Sequence, residues 1–126
     1  MSQKSSAGRI GEDIAALFLT LKGYQILRRN LRTRTSEIDI VARGAGCLVF
    51  VEVKLRGRGG LSGPLECVDV RKRARISRGA LSFLQSYPED LYRMVRIDVV
   101  SVSWSREELV VQHIENAFPA EGLSVW

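Results

Sequence analysis

Residues 48 to 55 read Leu-Val-Phe-Val-Glu-Val-Lys-Leu, and no other stretch of the chain narrows the choice of fold as far. A nearly continuous apolar run of strand length belongs in the middle of a sheet that is covered on both faces. Side chains alternate along a strand, so Val49, Val51, Val53 and Leu55 line one face, and Glu52 and Lys54 share the other with Leu48 and Phe50. Charged groups are rarely buried unless they are paired or bind a metal. Glu52 and Lys54 inside such a strand are therefore its least expected feature.

The run just upstream, Glu37 to Ala42, also has strand character, and Gly44-Ala45-Gly46-Cys47 joins the two as a hairpin. A four-residue turn pairs 43 with 48, 41 with 50 and 39 with 52. Asp39 then faces Glu52, and Glu37 faces Lys54, with Cβ atoms about 4.5–5.5 Å apart. Two carboxylates that close destabilise the sheet or raise one pKa unless a cation lies between them. Oxygen ligands at this spacing suit Mg²⁺ or Mn²⁺. Lys54, on the face of Glu52, is placed to steady a developing negative charge or hold a nucleophilic water. The same spacing equally describes a structural ion cluster in which Lys54 pairs Glu37 and Glu52.

The rest of the chain dresses this hairpin. Ile10, Ile14, Leu17, Phe18 and Leu21 repeat at helical spacing over residues 8 to 22, and Gly23 stops the helix. On the wheel Glu12 lies nearly opposite that stripe, among Gly8, Gly11 and Ala15, whose small size permits close approach of a backbone or ligand. Tyr24 to Leu31 reads as a strand. A second helix is expected from about Val68 to Ser86, with Val70, Ala74, Ala80, Leu81 and Leu84 on its buried face and Tyr87-Pro88 ending it. Val95 to Val102 and Leu109 to Ile114 read as two further strands, separated by a polar turn around Arg106. The order αβββαββ predicts an α/β fold, a mixed central β-sheet flanked by helices, with residues 1–126 forming one domain.

Lysine and arginine total 19 against 14 acidic residues, a net charge of +5 that is compatible with a polyanionic partner. Its distribution says more. Arg71, Arg75 and Arg78 fall together on the second helix, away from Val70, Leu81 and Leu84, as a stripe suited to phosphate contacts or to plain solvation. Lys72 sits at the border of the buried arc, beside Ile76 and Phe83. Gly57 to Pro64 reads as a loop without a nucleotide-binding fingerprint, and Arg56 and Arg58 at its base are candidate phosphate contacts. Arg96 and Asp98 share a strand face as an internal ion pair, and His113 reads as packed. Cys47 and Cys67 stand apart, and with a single histidine no Cys/His zinc site can be assembled. They read as reduced thiols of a cytoplasmic protein. No apolar run approaches membrane-spanning length and no apolar leader segment is evident, so no membrane association is expected.

Glu12 on the first helix, Asp39 on a strand and Glu52-Val53-Lys54 on the next together resemble the PD-(D/E)xK pattern of restriction-endonuclease-like proteins. Their order is similar to that of archaeal Holliday-junction resolvases, in which a helix glutamate joins the Asp and Glu-x-Lys. More closely, the chain resembles the YraN family of uncharacterised bacterial proteins. The matching segments are Gly8-x-x-Gly11-Glu12-x-x-Ala15, Gly23-Tyr24-x-Ile26-Leu27-x-x-Asn30, Glu37-Ile38-Asp39-Ile40 and Val49-Phe50-Val51-Glu52-Val53-Lys54-x-Arg56, continuing with Lys72, Arg96-x-Asp98-Val99-Val100 and Ile114-x-Asn116-Ala117-Phe118. One departure, Ser36 where the family usually has Gly, touches the turn and not the carboxylates.

The resemblance implies a restriction-endonuclease-like fold, Glu12, Asp39, Glu52 and Lys54 as catalytic residues, and Lys72 pointing toward the site. The resulting expectation is a nuclease dependent on Mg²⁺ or Mn²⁺ that hydrolyses phosphodiester bonds in DNA, branched DNA included, with Asp39 and Glu52 as metal ligands and Glu12 completing the shell directly or through water. Glu37 would stand behind them. Arg56, Arg58, Arg71, Lys72, Arg75 and Arg78 would contact nucleic acid. Two alternatives stay open: a nucleic-acid-binding module of the same fold that does not cut, and a structural or interaction protein with an acidic ion cluster. A homodimer is also left open.

Overall fold

The computed structural model describes residues 5–56 and 69–119. Helix α1 (Ser6–Leu21) leads into strands β1 (Gln25–Arg32), β2 (Glu37–Gly44) and β3 (Cys47–Leu55). Helix α2 (Val70–Leu84) and a short 3₁₀ turn (Glu89–Leu91) precede β4 (Met94–Trp104) and β5 (Leu109–Ile114). The strands form one sheet in the order β1-β2-β3-β4-β5. Only β3 and β4 run parallel, and every other neighbouring pair is antiparallel. This is the mixed, helix-flanked sheet expected from the sequence, with the apolar strand β3 at its centre.

The local signals act as chemistry requires. Ser5 caps α1 by accepting from the Gly8 N–H at 3.0 Å, and Asp69 caps α2 by accepting from the Lys72 N–H at 2.9 Å. Beyond α1, Gly23 adopts φ +102°, and the Tyr24 and Gly23 N–H groups close back on the Leu19 and Thr20 carbonyls. That pattern is a Schellman motif, which needs a left-handed residue at this point. In the β2–β3 hairpin Gly44 pairs with Cys47, so the turn is two residues, Ala45 (φ 51°) and Gly46 (φ 80°). It is tighter than the four-residue turn expected, yet the register is unchanged, with 43 opposite 48 and 41 opposite 50.

The helices cover opposite faces. Against α2, Ile76 and Ala80 pack on Ile38, Val41, Leu48, Phe50 and Ile97. Gly79 is needed there, because a Cβ would stand 2.8 Å from Ile38 Cγ1. Against α1, Ala15, Ala16 and Leu19 pack on Ile40, Ala42, Val49, Val51, Val100 and Val102. Ile38 thus joins the α2 side with Val41, although strict alternation from Ile40 would put it on the other. The β2–β3 ladder ends at Ile40/Val51, while β1 stays paired with β2 at Arg29/Ile40 and Leu31/Ile38, with the left-handed Asn30 between them in β1.

Both helix faces need correction. Ile10, Leu17 and Leu21, expected in the core, are 49%, 61% and 78% exposed, whereas Gly11, Glu12, Ala15, Ala16 and Leu19 are buried. The valines of β3 and β4 already fill the space beneath α1, so the helix settles on its small-residue side. Gly11 lies against Leu55 and Trp104, where an added Cβ would collide with the Leu55 side chain. On α2, Val70 is exposed and the buried residues are Ile76, Ser77, Gly79 and Ala80. The loop at Gly57 to Pro64, Arg58, Cys67 and the expected helix start at Val68 lie outside the described residues. No described helix is long and apolar enough to cross a membrane.

Candidate metal centre

Where β2 and β3 part, three carboxylates converge. One oxygen each from Glu37, Asp39 and Glu52 lie within 4.8 Å of one another. Asp39 holds the split open: its Oδ2 accepts the Val53 N–H at 2.8 Å, a bond that a strand ladder would otherwise claim. Glu52 is 2% exposed and projects from the central strand toward the α2 side. Glu37, half-buried, completes the group from the first residue of β2.

The cation inside the cluster is Lys72, not Lys54. Its Nζ lies 3.2 Å from Glu37 Oε2 and 3.2 Å from Glu52 Oε2. Arg32 Nη2 at 3.5 Å and Arg75 Nη2 at 3.9 Å add to the charge around Glu37. Lys54 is half-buried, and no described residue pairs with it. The ion cluster in which Lys54 pairs Glu37 and Glu52 is therefore corrected: α2 supplies that cation across the sheet face, which strand alternation alone does not reveal.

Most of the positive charge gathers at Glu37; among the described residues Glu52 pairs with Lys72 alone. Burial first, and then repulsion from Asp39, push the Glu52 carboxyl up to about 8 against the pull of Lys72. No described residue donates to buried Glu52 Oε1. Burial and the neighbouring Asp39 thus disfavour charge on Glu52, and a divalent cation would relieve the same repulsion. A buried oxygen without a donor, in an all-oxygen group of this size, is what a hard divalent ion binds. The three carboxylates could hold a metal ion.

Glu12 is 1% exposed but is not one of the three clustered acids. Its Oε1 accepts Asn30 Nδ2 at 2.7 Å and Arg29 Nε at 3.2 Å, both from β1. Asn30 can reach it because it takes a left-handed backbone (φ 55°), in the strand whose register shifts between Ile26 and Arg28. The sequence reading omitted Arg29 and Asn30 as partners of this acid; an asparagine within a strand was the available signal.

The basic helix divides its labour. Arg75 Nη1 donates to the Arg34 carbonyl at 3.3 Å and Arg78 Nε to the Thr35 carbonyl at 2.6 Å, so both tie α2 to the β1–β2 turn. Arg73 lies 4.9 Å over the Phe118 ring. Arg71 is exposed, with no described partner. Arg56 donates its backbone N–H to the Val102 carbonyl at 2.9 Å.

On the opposite face, one strand away, lies a second buried acid. Asp98 Oδ2 accepts from Arg96 Nη2 at 2.8 Å and His113 Nε2 at 2.7 Å, and Oδ1 accepts from Arg96 Nε and the Asn116 N–H. Burial alone would raise its pKa, but the hydrogen bonds from His113, Arg96 and Asn116 win and hold Asp98 below the ordinary carboxylate range. Lys22 Nζ stands 2.8 Å from His113 Nδ1. An ammonium only donates, so this nitrogen accepts and the imidazole is the neutral Nε2–H tautomer. The expected Arg96–Asp98 pair and packed His113 are parts of this one network.

The model of the uncharacterised protein family UPF0102 matches residues 11–102. A UPF0102 protein of Desulforapulum autotrophicum is 44% identical over 120 residues, covering 95% of this chain and 98% of the relative. One of Porphyromonas gingivalis is 44% identical over 121 residues, covering 94% and 88%. One of Syntrophus aciditrophicus is 42% identical over 118 residues, covering 94% and 92%. Among solved structures, Pyrococcus furiosus SfsA in complex with Ca²⁺ aligns with 81% of this chain and 58% of its own length, at 15% identity and a TM-score of 0.39, too distant to bear on the site.

Proposed function

The chain belongs to the uncharacterised protein family UPF0102, and we propose that it is a divalent-metal-dependent nuclease acting on DNA in the cytoplasm. The observation that carries this reading is the convergence of Glu37, Asp39 and Glu52 where the β2–β3 ladder ends, with one buried Glu52 oxygen that has no donor among the described residues. Asp39 and Glu52 would hold Mg²⁺ or Mn²⁺, with Glu37 beside them and Glu12 joined through water. The bound ion would supply Lewis-acid polarisation of a phosphate oxygen and a water of lowered pKa.

The chain's own groups do the rest. Lys54, unpaired among the described residues, orients the attacking water and meets the charge that grows on the phosphate. Asp39, fixed by the Val53 N–H, keeps its second oxygen directed at the cluster. Arg71, with Arg56 and Arg58, would contact flanking phosphates, which position a nucleic acid without reading its sequence.

The test is cleavage of branched, single-stranded and duplex DNA, and RNA, with Mg²⁺ and with Mn²⁺. Wild type should cut in a metal-dependent way, while Asp39→Asn and Lys54→Ala should not. Lys54→Ala should keep most of its DNA affinity, because this lysine acts on the transition state more than on bound substrate. Binding without cutting by wild type across the panel would favour the non-cleaving module. The partial neutralisation by Lys72 specifically favours the purely structural reading, which would win if wild type neither bound nor cut.

A further inference from the structure

We propose that Lys72 is the resident cation of the acidic cluster, that it yields this place when a divalent ion binds, and that the freed ammonium then serves the substrate phosphate. The inference rests on the metal-site reading above and adds what the site does when empty and how it changes on loading.

The geometry supports an exchange. Nζ bridges Glu37 Oε2 and Glu52 Oε2 at 3.2 Å each, so it sits against two of the three acids that a metal would bind. Two oxygens on one Mg²⁺ can be no more than about 4.2 Å apart, twice the usual Mg–O distance. The cluster spans up to 4.8 Å, slightly wide for Mg²⁺ and suited to an ammonium, which holds oxygens at longer range. Lys72 and the metal cannot occupy this space together without severe repulsion.

Leaving would not disturb the helix. Lys72 is in the first turn of α2, where its N–H is already held by the Asp69 cap at 2.9 Å. Only its flexible stem needs to swing. Arg71, next in sequence, is exposed, and Arg75 stands one turn on, so a released Lys72 enters a positive rim suited to a phosphate diester. The two lysines thereby divide the work: Lys54 has no partner among the described residues, and Lys72 is released by loading.

The experiment titrates the full chain with Mn²⁺, by electron paramagnetic resonance, in wild type, Lys72→Met, Lys54→Met and Asp39→Asn. Lys72→Met should bind Mn²⁺ about tenfold or more tightly than wild type, because no cation must be displaced. Lys54→Met should change affinity far less. Equal gains in both variants, or none in Lys72→Met, would overturn the exchange. Loss of binding in Asp39→Asn alone keeps the metal site intact as a premise; no binding by wild type overturns both readings. Should Lys72→Met fail to fold, amine labelling of wild type read by mass spectrometry decides: Mg²⁺ should raise the reactivity of Lys72 several-fold over that of Lys22, and an unchanged reactivity would contradict release.

Discussion

Asp98 and Glu52 are both buried carboxylates on adjacent central strands, β4 and β3, and they differ in how fully they are satisfied. Asp98 has four donors from Arg96, His113 and Asn116, and its pKa is lowered. Glu52 has Lys72 on one oxygen, no described donor on the other, and a second acid beside it, and its pKa is raised to about 8. A finished network is a structural element: it joins β4 to β5 and to the α1–β1 turn through Lys22 and Tyr24. An unfinished one leaves a buried oxygen for a further partner, and the partner proposed here is a metal ion.

The largest effect that could break this contrast is in stability. Asp98→Asn leaves Arg96 with only the exposed Glu115 as counter-charge among the described residues and should cost about 3 kcal/mol in a denaturant melt. Glu52→Gln should be neutral or stabilising without metal, since it removes a repulsion. If both variants were equally damaging, the two acids would be equivalent structural groups.

Next comes pH. Glu52 has a folded pKa near 8 against an ordinary 4.5, so the folded state holds the extra proton between these values. Its contribution is fully present below about pH 4.5 and is lost as pH rises through 8, on the order of 3 kcal/mol across pH 5 to 8. Asp98 runs the other way, its contribution present above the ordinary 3.8 and lost on acidification. Chemical denaturation at pH 5 and pH 8 should show the difference between wild type and Glu52→Gln changing by that amount. A constant difference would place Glu52 in the ordinary range.

Metal should complete the unfinished network. Mn²⁺ at 100 times its Kd should stabilise wild type by about 2.7 kcal/mol, seen as a rise in Tm, and Asp39→Asn should abolish the rise. Asp98→Asn should retain it, measured from its own lower baseline. Metal stabilisation that survives both Asp39→Asn and Glu52→Gln would mean that the ion binds elsewhere.

The smallest effects separate the arginines of α2. Arg75→Ala and Arg78→Ala each remove a bond to the β1–β2 turn and should cost about 0.5–1.5 kcal/mol. Arg71→Ala should leave stability alone and, if it contacts a duplex phosphate, lower the slope of log affinity against log salt by about 0.9. The reverse pattern would show that Arg75 and Arg78 face the nucleic acid.

The sequence made the hairpin legible because glycines locate its turn: the predicted pairs 43/48 and 41/50 are found, but the ladder ends at Ile40/Val51, before the predicted 39/52 and 37/54 pairs. It also singled out Glu52, whose burial in an apolar strand is anomalous on sight. The inward face of α1 was not legible. A stripe of large apolar residues marks a core face only where there is room for it, and the valines of β3 and β4 leave room for Gly11, Ala15 and Leu19 instead. That same tight approach buries Glu12, which the wheel placed away from the apolar stripe. Nor could spacing along a strand assign the cluster's cation to Lys72, which arrives from a helix on the covering layer.

The contrast is tested most directly by following the Glu52 and Asp98 carboxyl carbons by ¹³C NMR across pH in one sample, without and then with Mg²⁺. Without metal, Glu52 should titrate near 8 and Asp98 below its ordinary value. With Mg²⁺, Glu52 should fall below the ordinary carboxylate range while Asp98 stays where it was. A Glu52 that titrates normally, or one that Mg²⁺ does not move, would contradict the reading of this cluster as a metal centre.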